Sequence, residues 1–478
     1  MLVEIRSLAA VALYLLRLLR RRVDPYPTGL PRDAAVFSRR CYSQTAVATD
    51  TGTDRGDFAD FTRSTDESLL NPIHSPVKGV LAILASLTLF ARAEDWPQWR
   101  GPSHDGISHE MGWLDQFPDQ GPPIAWKATV GLGFSSIVVG NGRAYTAGHA
   151  NGSDTIFCFD AITGKEIWKQ SYPSELGDKF FDGGTTGSPT IDDSHLYWLS
   201  RWGDLYCYDA ASGKIIWNRQ LVKETAARVP SWGFSGAPTV YKNLLILNVG
   251  EAGMAVDKDT GREIWKSGEG DAGYNTPLPA TRGGKTEIWF ANGEAYLSVA
   301  PESGKENWRM KWLTQYGVNA SDPIPYDDKV FISSGYNKGA ALFKPAVNAD
   351  TDPEVIWKNR VLRTQLNGAV LVGKHLYGVD GDTTYKAQLK CVEIETGKEV
   401  WAQPDFGTGG IIVADGKIIA LAASGELMIA PVSTEGFKPT ARAQILGGKS
   451  WTAPVLANGL VYCRNSRGDL VAVDLRKK

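Results

Sequence analysis

The sequence predicts an all-β fold, an eight-bladed β-propeller that is closed by its own N-terminal strand. One observation is a repeated unit of strand, tight turn and strand, whose last strand carries a tryptophan. A second is that this unit returns every 43 to 49 residues, the length of one four-stranded propeller blade. A third is that the two ends of the repeated region each carry the part of a unit that the other end lacks. One closed array of sheets accounts for all three observations.

The turn of the repeated unit has a defined chemistry. In the segment 160–164, Asp160 can accept hydrogen bonds from turn amides, and Gly164 supplies the positive φ that a short hairpin loop requires. Trp168 then places a large apolar ring near the end of the following strand. Further copies of the unit end at Trp217, Trp265, Trp308 and Trp401, and a degenerate copy ends at Trp357.

Each blade also begins with a short cluster of small residues. Such residues suit the innermost strands of a propeller, because these strands crowd around the central axis. Eight clusters make eight blades the most economical count, with seven as the alternative. The clusters, called blade openings below, are Phe134–Ser136, Gly187–Thr190, Gly236–Thr239, Asn275–Pro277, Ser321–Pro323, Asn367–Ala369, Thr408–Gly410 and Thr452–Pro454.

The two ends of the repeated region complement each other. Ile124–Lys127 matches the end of the unit without its preceding strands. Pro454–Cys463 and Leu470–Asp474 match its early strands without a tryptophan strand. We therefore predict that the first strand completes the last blade, which leaves no open sheet edge.

The region before the repeats divides into three parts. Residues 1–76 look unlike the rest of the chain and are predicted to be a poorly structured extension. Residues 77–93 have the pattern of a secretory signal peptide, with an apolar run at Val80–Phe90 and the cleavage motif Ala91-Arg92-Ala93. Residues 94–120 are interpreted as an ordered lead-in that packs on the propeller of residues 121–478.

A signal peptide inside a chain has two interpretations. Translation could begin at Val77 from a non-ATG codon, so that residues 1–76 are a mis-assigned extension. Alternatively, these residues form a leader that precedes an internal anchor helix. Export signals are read at the N-terminus, which favours the first interpretation. We expect a mature protein of the periplasm or the extracellular space, with no stable membrane span.

Charge and cysteine content exclude several classes of function. The chain has 51 basic and 53 acidic residues and a net charge of −2, which offers no electrostatic footprint for nucleic acid. None of its five cysteines is adjacent to another or forms a C-x-x-C pair. Cys158, Cys207 and Cys391 each lie six residues before a turn glycine, a position that we predict to require a small buried side chain. We expect a monomer.

The D-x-x-T-G-K-x-x-W turn, the Pro-Thr blade opening and the eight units resemble the quinoprotein, or PQQ-like, β-propeller repeat family over about residues 120–478. Trp96–Pro102 also resembles the lead-in of exported bacterial proteins with these repeats. One branch is the quinoprotein alcohol dehydrogenases. They hold the cofactor pyrroloquinoline quinone (PQQ) beneath a disulfide between neighbouring cysteines, with a calcium ion bound by Glu, Asn and Asp. This chain has neither neighbouring cysteines nor a C-x-x-C-H haem motif.

A second branch is the outer-membrane assembly lipoproteins, which are non-catalytic scaffolds. No cysteine follows Ala93, so a lipid anchor is not supported, and the H-R-D, D-F-G and V-A-I-K motifs of kinases are absent. The resemblance implies an exported, non-catalytic binding or scaffold module for an envelope protein or polysaccharide, with no cofactor. The alternatives are a periplasmic dehydrogenase that uses PQQ with calcium, and a carbohydrate-binding or lyase-type propeller.

Ligands of propellers usually bind on the face formed by the loops that enter the inner strands. Aromatic and amide side chains on that face could stack on and hydrogen-bond a sugar, a quinone or a peptide. The same residues could instead cap strand entries and fill gaps between blades. No residue is predicted to be catalytic or to bind a metal. The candidates are Trp232, Ser235, Tyr274, Asn275, Asn319, Asp322, Asn367 and Trp451 on the face, with Arg201, Trp202 and Arg467 on its rim.

Overall fold

The computed structural model describes residues 93–382 and 386–477. The predicted extension at residues 1–76, the proposed start at Val77 and the apolar run of the signal peptide lie outside the described residues. Those expectations therefore stay predictions. Among the described residues, no helix is both long and apolar enough to cross a membrane.

The described residues form eight sheets, so the prediction of eight blades is confirmed and the alternative of seven is wrong. First strands are largely buried and fourth strands carry exposed positions, which places the first strands at the axis and the fourth at the outer rim. Two short strands precede the blades, β1 (Ile107–Ser108) and β2 (Ile124–Thr129). The first four blades are β3–β6 (Val138–Gly140, Arg143–Ala150, Ser153–Asp160, Glu166–Pro173), β7–β10 (Thr190–Asp192, His195–Leu199, Asp204–Asp209, Ile215–Gln220), β11–β14 (Thr239–Tyr241, Leu244–Leu247, Met254–Asp257, Glu263–Lys266) and β15–β18 (Leu278–Arg282, Lys285–Ala291, Ala295–Val299, Glu306–Lys311).

The second half of the propeller follows the same order. A one-turn helix α1 (Leu221–Thr225) follows blade 2, and a 3₁₀ turn (Gln315–Gly317) follows blade 4. The remaining strands are β19–β22 (Ile324–Tyr326, Lys329–Ser334, Gly339–Lys344, Glu354–Asn359), β23–β26 (Val370–Val372, His375–Asp380, Gln388–Glu393, Lys398–Gln403), β27–β30 (Gly410–Ala414, Lys417–Leu421, Glu426–Pro431, Ala441–Gln444) and β31–β33 (Val455–Ala457, Leu460–Arg464, Asp469–Asp474).

Blade 8 is completed by the N-terminal strand, as the sequence predicts. β2 pairs antiparallel with β33, and Trp126 lies opposite Ala472. The sheet order is β2-β33-β32-β31, so β2 takes the outermost place that a tryptophan strand takes in the other repeats. The first strand and the last strands therefore share one sheet, and the ring closes through backbone hydrogen bonds.

A buried guanidinium also joins blade 8 to blade 1. Arg464, at the end of β32, is fully buried, and burial lowers its pKa to about 9, so that it stays charged at neutral pH. No carboxylate in the described part of the chain pairs with it. Its nitrogens instead donate to backbone carbonyl and hydroxyl groups that enter blade 1, which are those of Gly131, Gly133, Ser135, Ala147 and Thr146.

The repeated tryptophan docks on the turn of the next blade. The indole Nε1 of Trp126 donates to the Ala161 carbonyl at 2.9 Å, and a Cβ on Gly164 would lie only 2.5 Å from the Trp126 ring. The turn glycine is therefore needed for its positive φ of 69° and also for this close approach. The same contact recurs between Trp168 and Gly213, Trp217 and Gly261, Trp265 and Gly304, and Trp357 and Gly397.

Blade 5 breaks this pattern because its turn lacks the glycine motif. The indole of Trp308 in blade 4 therefore donates within its own blade, to Oε2 of Glu287 at 3.0 Å. Trp289 and Ser298 donate to the same oxygen, and Arg282 binds the other. The buried carboxylate replaces a docking site that the next blade does not supply.

The cysteines occupy the small buried position that the sequence predicts. Cys158, Cys207 and Cys391 lie directly opposite the blade tryptophans Trp168, Trp217 and Trp401, and all three are fully buried. Burial raises the pKa of the Cys158 and Cys207 thiols to about 12. These thiols therefore remain protonated and act as packing groups.

The lead-in runs across the ends of the inner strands. Trp96 pairs with Val139 in β3, and the carbonyl of Pro97 accepts a hydrogen bond from Ile191 in β7. Further along, β1 pairs in parallel with β27 and becomes a fifth strand of blade 7. One segment thus contacts blades 1, 2 and 7, which places it across the propeller axis.

Candidate functional site

A cavity of about 870 Å³ lies on the propeller axis, at the end opposite the lead-in backbone. We call it the axial funnel. Its volume is within the range of pockets that enclose a small-molecule ligand, about 300–1,000 Å³. Every blade contributes to it at or next to its opening, through Phe134, Ser188, Ser235, Asn275, Ala320, Asn367, Thr408 and Thr452.

The floor of the funnel is Trp99, which belongs to the lead-in. Its indole Nε1 donates to Oδ2 of Asp322 at 2.7 Å. Asp322 also accepts from the backbone of Thr276 at 2.9 Å, and the Arg100 Nε lies 3.7 Å from its carboxylate. Burial raises the pKa of Asp322 and lowers the pKa of Arg100, and each charge opposes the shift of the other. The floor is therefore fixed by a buried ion pair beneath it.

One side of the funnel is an almost continuous series of aromatic rings. The Trp232 ring centroid lies 5.2 Å from that of Phe180, 6.0 Å from Tyr274 and 6.1 Å from Tyr316. The Tyr316 ring in turn contacts Tyr336 at 5.6 Å. A shorter series runs from Phe181 through Phe134 to Trp451, with centroid distances of 5.7 and 5.3 Å. We call these eight residues the aromatic wall.

The opposite side, which blades 6 and 7 supply, is uncharged and polar. We call Gln365, Asn367 and Thr408 the polar wall. Gln365 is 5% exposed and Thr408 is 4% exposed, and neither side chain has a hydrogen-bond partner in the described part of the chain. The Nδ2 of Asn367 donates to the carbonyls of Gly409 and Trp451, which leaves its Oδ1 oxygen without a partner there. Three buried polar groups thus keep unused bonding capacity toward the cavity.

The funnel presents almost no net charge. Lys449 is the one charged residue among the described lining residues. Its Nζ lies 2.7 Å from Asp182 and 4.4 Å from the Trp451 ring centroid. No group of three His, Cys, Asp or Glu residues that could hold a metal occurs among the described residues. The lining therefore offers stacking surfaces and neutral hydrogen-bonding groups, with no acid and base pair.

Six of the predicted site residues line the funnel. They are Trp232, Ser235, Tyr274, Asn275, Asn367 and Trp451. Asn275 also fits the alternative interpretation, in which such residues cap strand entries, because its Oδ1 accepts hydrogen bonds from the Ala291 backbone and from the Asn248 side chain.

The other predicted residues take different positions. Arg201 is buried rather than on an exposed rim, and its guanidinium donates to the carbonyls of Leu176, Gly184 and Trp232. It also stacks on Phe181 at 4.9 Å, so it supports the aromatic wall from behind.

Trp202 likewise does not line the funnel, and its indole donates to the Glu175 carbonyl. Asn319 is fully buried and donates to the carbonyls of Asn292 and Trp312. Asp322 lies beneath the floor. Arg467 is exposed and lines a neighbouring cleft of about 690 Å³, which shares Lys449 with the funnel.

Several lining residues were not predicted from the sequence. A positional signal exists for some of them, because the residue immediately before a blade opening lines the funnel in most blades. The residues at this position are Thr186, Ser235, Tyr274, Ala320, Leu366 and Trp451, with Phe134 at the matching place before Ser135, and only Ser235, Tyr274 and Trp451 are among the candidates from the sequence. Phe180, Phe181, Tyr316 and Tyr336 come instead from connections between strands that do not repeat, and Gln365 and Thr408 carry no aromatic signal.

Comparisons with known proteins agree with this architecture. The family model described as outer membrane protein assembly factor BamB matches residues 154–403. The structure of BamB from Moraxella catarrhalis aligns with a TM-score of 0.55 and 14% identity, covering 74% of this chain and 99% of that one. No curated protein sequence matches.

Two quinohaemoprotein alcohol dehydrogenases are similar in structure as well. The enzyme from Comamonas testosteroni aligns with a TM-score of 0.57 and 14% identity, over 81% of each chain. The enzyme ADHIIG from Pseudomonas putida HK5 aligns with a TM-score of 0.56 and 13% identity, over 80% of this chain and 81% of that one. At these identities the likeness shows the fold alone.

Proposed function

Since the chain belongs to the PQQ-like β-propeller family whose model carries the BamB description, we propose that it is a non-catalytic binding or scaffold module of the cell envelope, with the axial funnel as its ligand site. The observation that supports this most is the chemistry of the funnel lining. Nine aromatic residues, counting Trp99, surround neutral amide and hydroxyl groups. Such a lining suits stacking and hydrogen bonding of a ligand more than bond making.

The described lining of the funnel contains no side chains suited to acid–base catalysis. No carboxylate, histidine or cysteine is among the described lining residues. The hydroxyl of Ser235 donates to the Gly233 carbonyl, and no described base lies within hydrogen-bond distance of it. A lyase-type reaction requires paired acid and base residues at the substrate. The lining therefore favours binding over the lyase alternative.

The lining also does not fit PQQ with calcium. PQQ carries several carboxylates, yet the single cation of the lining, Lys449, is already paired with Asp182. Calcium requires oxygen ligands that include carboxylates, and no carboxylate lines the described funnel. The described cysteines are buried and lie on different strands, Cys158, Cys207, Cys391 and Cys463. We therefore propose that the protein works without this cofactor.

The envelope location is part of the same proposal. Residues 77–93 have the pattern of an export signal, and the matching family model is named for an outer membrane assembly factor. The proposed partner is an envelope protein or polysaccharide.

Titration of the purified full chain with PQQ and calcium tests the proposal. We expect no stoichiometric retention of quinone after gel filtration and no dye reduction with alcohol substrates. Immobilised protein should instead retain an envelope component, and a Trp232→Ala, Trp451→Ala double variant should lose it. A matched control, Tyr241→Ala with Tyr326→Ala, removes two aromatic rings from the last residues of the inner strands β11 and β19, outside the funnel, and should retain it. Stoichiometric quinone binding with dye reduction would overturn the proposal.

A further inference from the structure

We propose that the axial funnel binds the free end of an uncharged glycan, which enters end-on, stacks its sugar rings on the aromatic wall and hydrogen-bonds its hydroxyl groups to the polar wall. This inference rests on the proposed binding function and names the ligand class of the same site. Four features of the described residues support it: the closed floor, the aromatic wall, the unused polar groups and the balance of charge.

The floor indicates that a ligand must end inside the funnel. Trp99 closes the axial cavity, and it is held by its hydrogen bond to Asp322. Beneath it, Arg100 donates to the Ala369 carbonyl at 2.7 Å, which fastens the lead-in to blade 6. A polymer could not pass through this floor without displacing a buried ion pair. The site therefore fits the terminus of a chain better than its middle.

The aromatic wall supplies flat apolar surfaces at the mouth. Phe180 is 51% exposed and Tyr316 is 64% exposed, although both rings contact Trp232. Exposed large rings around a cavity are typical of ligand-binding surfaces. Pyranose rings have C–H faces that stack on aromatic rings, while their hydroxyl groups point outward from the ring edge. A sugar bound against this wall would cover the two exposed rings.

The polar wall supplies the matching hydrogen bonds. Gln365 and Thr408 have no hydrogen-bond partner within the described residues, but their side chains line the cavity, so solvent or a ligand there can pair with them. A ligand that displaces this solvent must offer hydrogen-bonding groups in its place, since an unpaired buried amide or hydroxyl is destabilising. An amide both donates and accepts, and so does each hydroxyl group of a sugar. The hydroxyl groups of a glycan can therefore form hydrogen bonds with Gln365, Thr408 and the free oxygen of Asn367, and no ion pair is needed.

The charge balance opposes an anionic ligand in the funnel. Lys449 already pairs with Asp182, so a phosphate, a uronic acid or a peptide carboxylate would lose its water without gaining an unpaired cation. Such desolvation is costly. A neutral sugar loses only hydrogen bonds to water, which the polar wall restores.

Isothermal titration of the purified full chain tests the proposal with neutral linear malto-, cello-, laminari- and manno-oligosaccharides. We expect at least one series to bind, with affinity that rises with chain length and then becomes constant once the funnel is filled. For a maltooligosaccharide ligand, cyclodextrins have the same linkage but no free end, so they should not bind. Comparison of the linear maltooligosaccharides with the cyclodextrins thus separates recognition of a chain end from binding along a chain.

Funnel variants locate the binding. Tyr336→Ala and Gln365→Ala should each weaken binding about tenfold, since each removes one central contact. Tyr326→Ala and Gln403→Ala are matched controls, because these residues lie on the same two blades but outside the funnel, and they should leave affinity unchanged. Gly335→Ala gives a second probe, because a Cβ there would lie 2.0 Å from the Gln365 Oε1 and must displace that amide.

Each other outcome overturns the glycan proposal in a distinguishable way. If no linear neutral oligosaccharide binds, or if binding ignores the funnel variants, the proposal is wrong. If an acidic oligosaccharide or a peptide binds instead and Gln365→Ala weakens it, the ligand class is wrong while the binding function stands. If PQQ with calcium binds and reduces dye, the binding function itself fails.

Discussion

A single missing carbon atom sets the distance between neighbouring blades. The turn glycines have positive φ, as sequence reasoning expects, but they also lie against the tryptophan of the preceding blade. For Gly213 the nearest ring atom of Trp168 would be 2.6 Å from an added Cβ, far inside van der Waals contact. Two separate requirements therefore act on the same residue.

Two glycine variants separate these requirements. Gly142 has a φ of 73°, close to the 71° of Gly213, but an added Cβ there meets nothing within 4 Å. Gly142→Ala should cost only the left-handed backbone strain, about 1 kcal/mol. Gly213→Ala should cost about 1–3 kcal/mol more, because the tryptophan must move. Urea unfolding of both variants measures the difference, and equal losses would show that the ring contact contributes nothing.

At the scale of one element, the lead-in is both a structural part and the floor of the site. Trp99 faces the cavity while Arg100, the next residue, lies with Asp322 in the interior. Asp322 satisfies both of them and also accepts from Thr276 at the opening of blade 4. The lead-in is thus held by charge pairing in a place where water cannot screen it.

Removing that carboxylate should detach the floor. Asp322→Ala removes the main counter-charge of the buried Arg100, and we expect a loss of about 3–5 kcal/mol in unfolding free energy. Asp328→Ala, on the same blade, removes an exposed carboxylate that pairs with Lys329 and Lys344, and it should change stability little. Denaturant titration compares the two variants. Asp322→Asn removes the charge but keeps an acceptor for Trp99, and it should also lower the unfolding free energy.

The elements that could be predicted from the sequence are those that repeat. Trp126 carries the repeated motif, so its place beside β33 follows from the count of units. Phe180 and Tyr316 could not be found in this way, because irregular connections carry them. Trp99 was visible in the lead-in, but no repeat indicates that this segment crosses the axis. Arg201 was placed on the rim because the sequence does not show which carbonyls surround a guanidinium.

At the scale of the whole molecule, closure depends on contacts between residues far apart in sequence. β2 pairs with β33, and Arg464 of blade 8 donates to groups of blade 1. Both contacts must form before the ring of eight blades is complete. Such long-range pairing slows folding in β-proteins, because the entropy of loop closure is lost first.

Loss of the closing guanidinium should destabilise the whole ring. Arg464→Met keeps an apolar stem but leaves several buried carbonyls without a donor, so we expect a loss of about 3 kcal/mol or more. Arg467→Ala, three residues further on, removes an exposed guanidinium and should be nearly neutral. Thermal unfolding together with hydrogen exchange in β4 measures the effect. Equal behaviour of the two variants would contradict a closing role for Arg464.

The residues just before the blade openings give the propeller a modular specificity. Thr186, Ser235, Tyr274, Ala320, Leu366 and Trp451 each project one side chain toward the axis from a different blade. The tryptophan and glycine contacts that hold adjacent blades together lie elsewhere, toward the outer strands. Substitution of these six side chains can therefore change ligand specificity without removing the tryptophan and glycine contacts between blades. Relatives can thus evolve new ligands more readily than new folds.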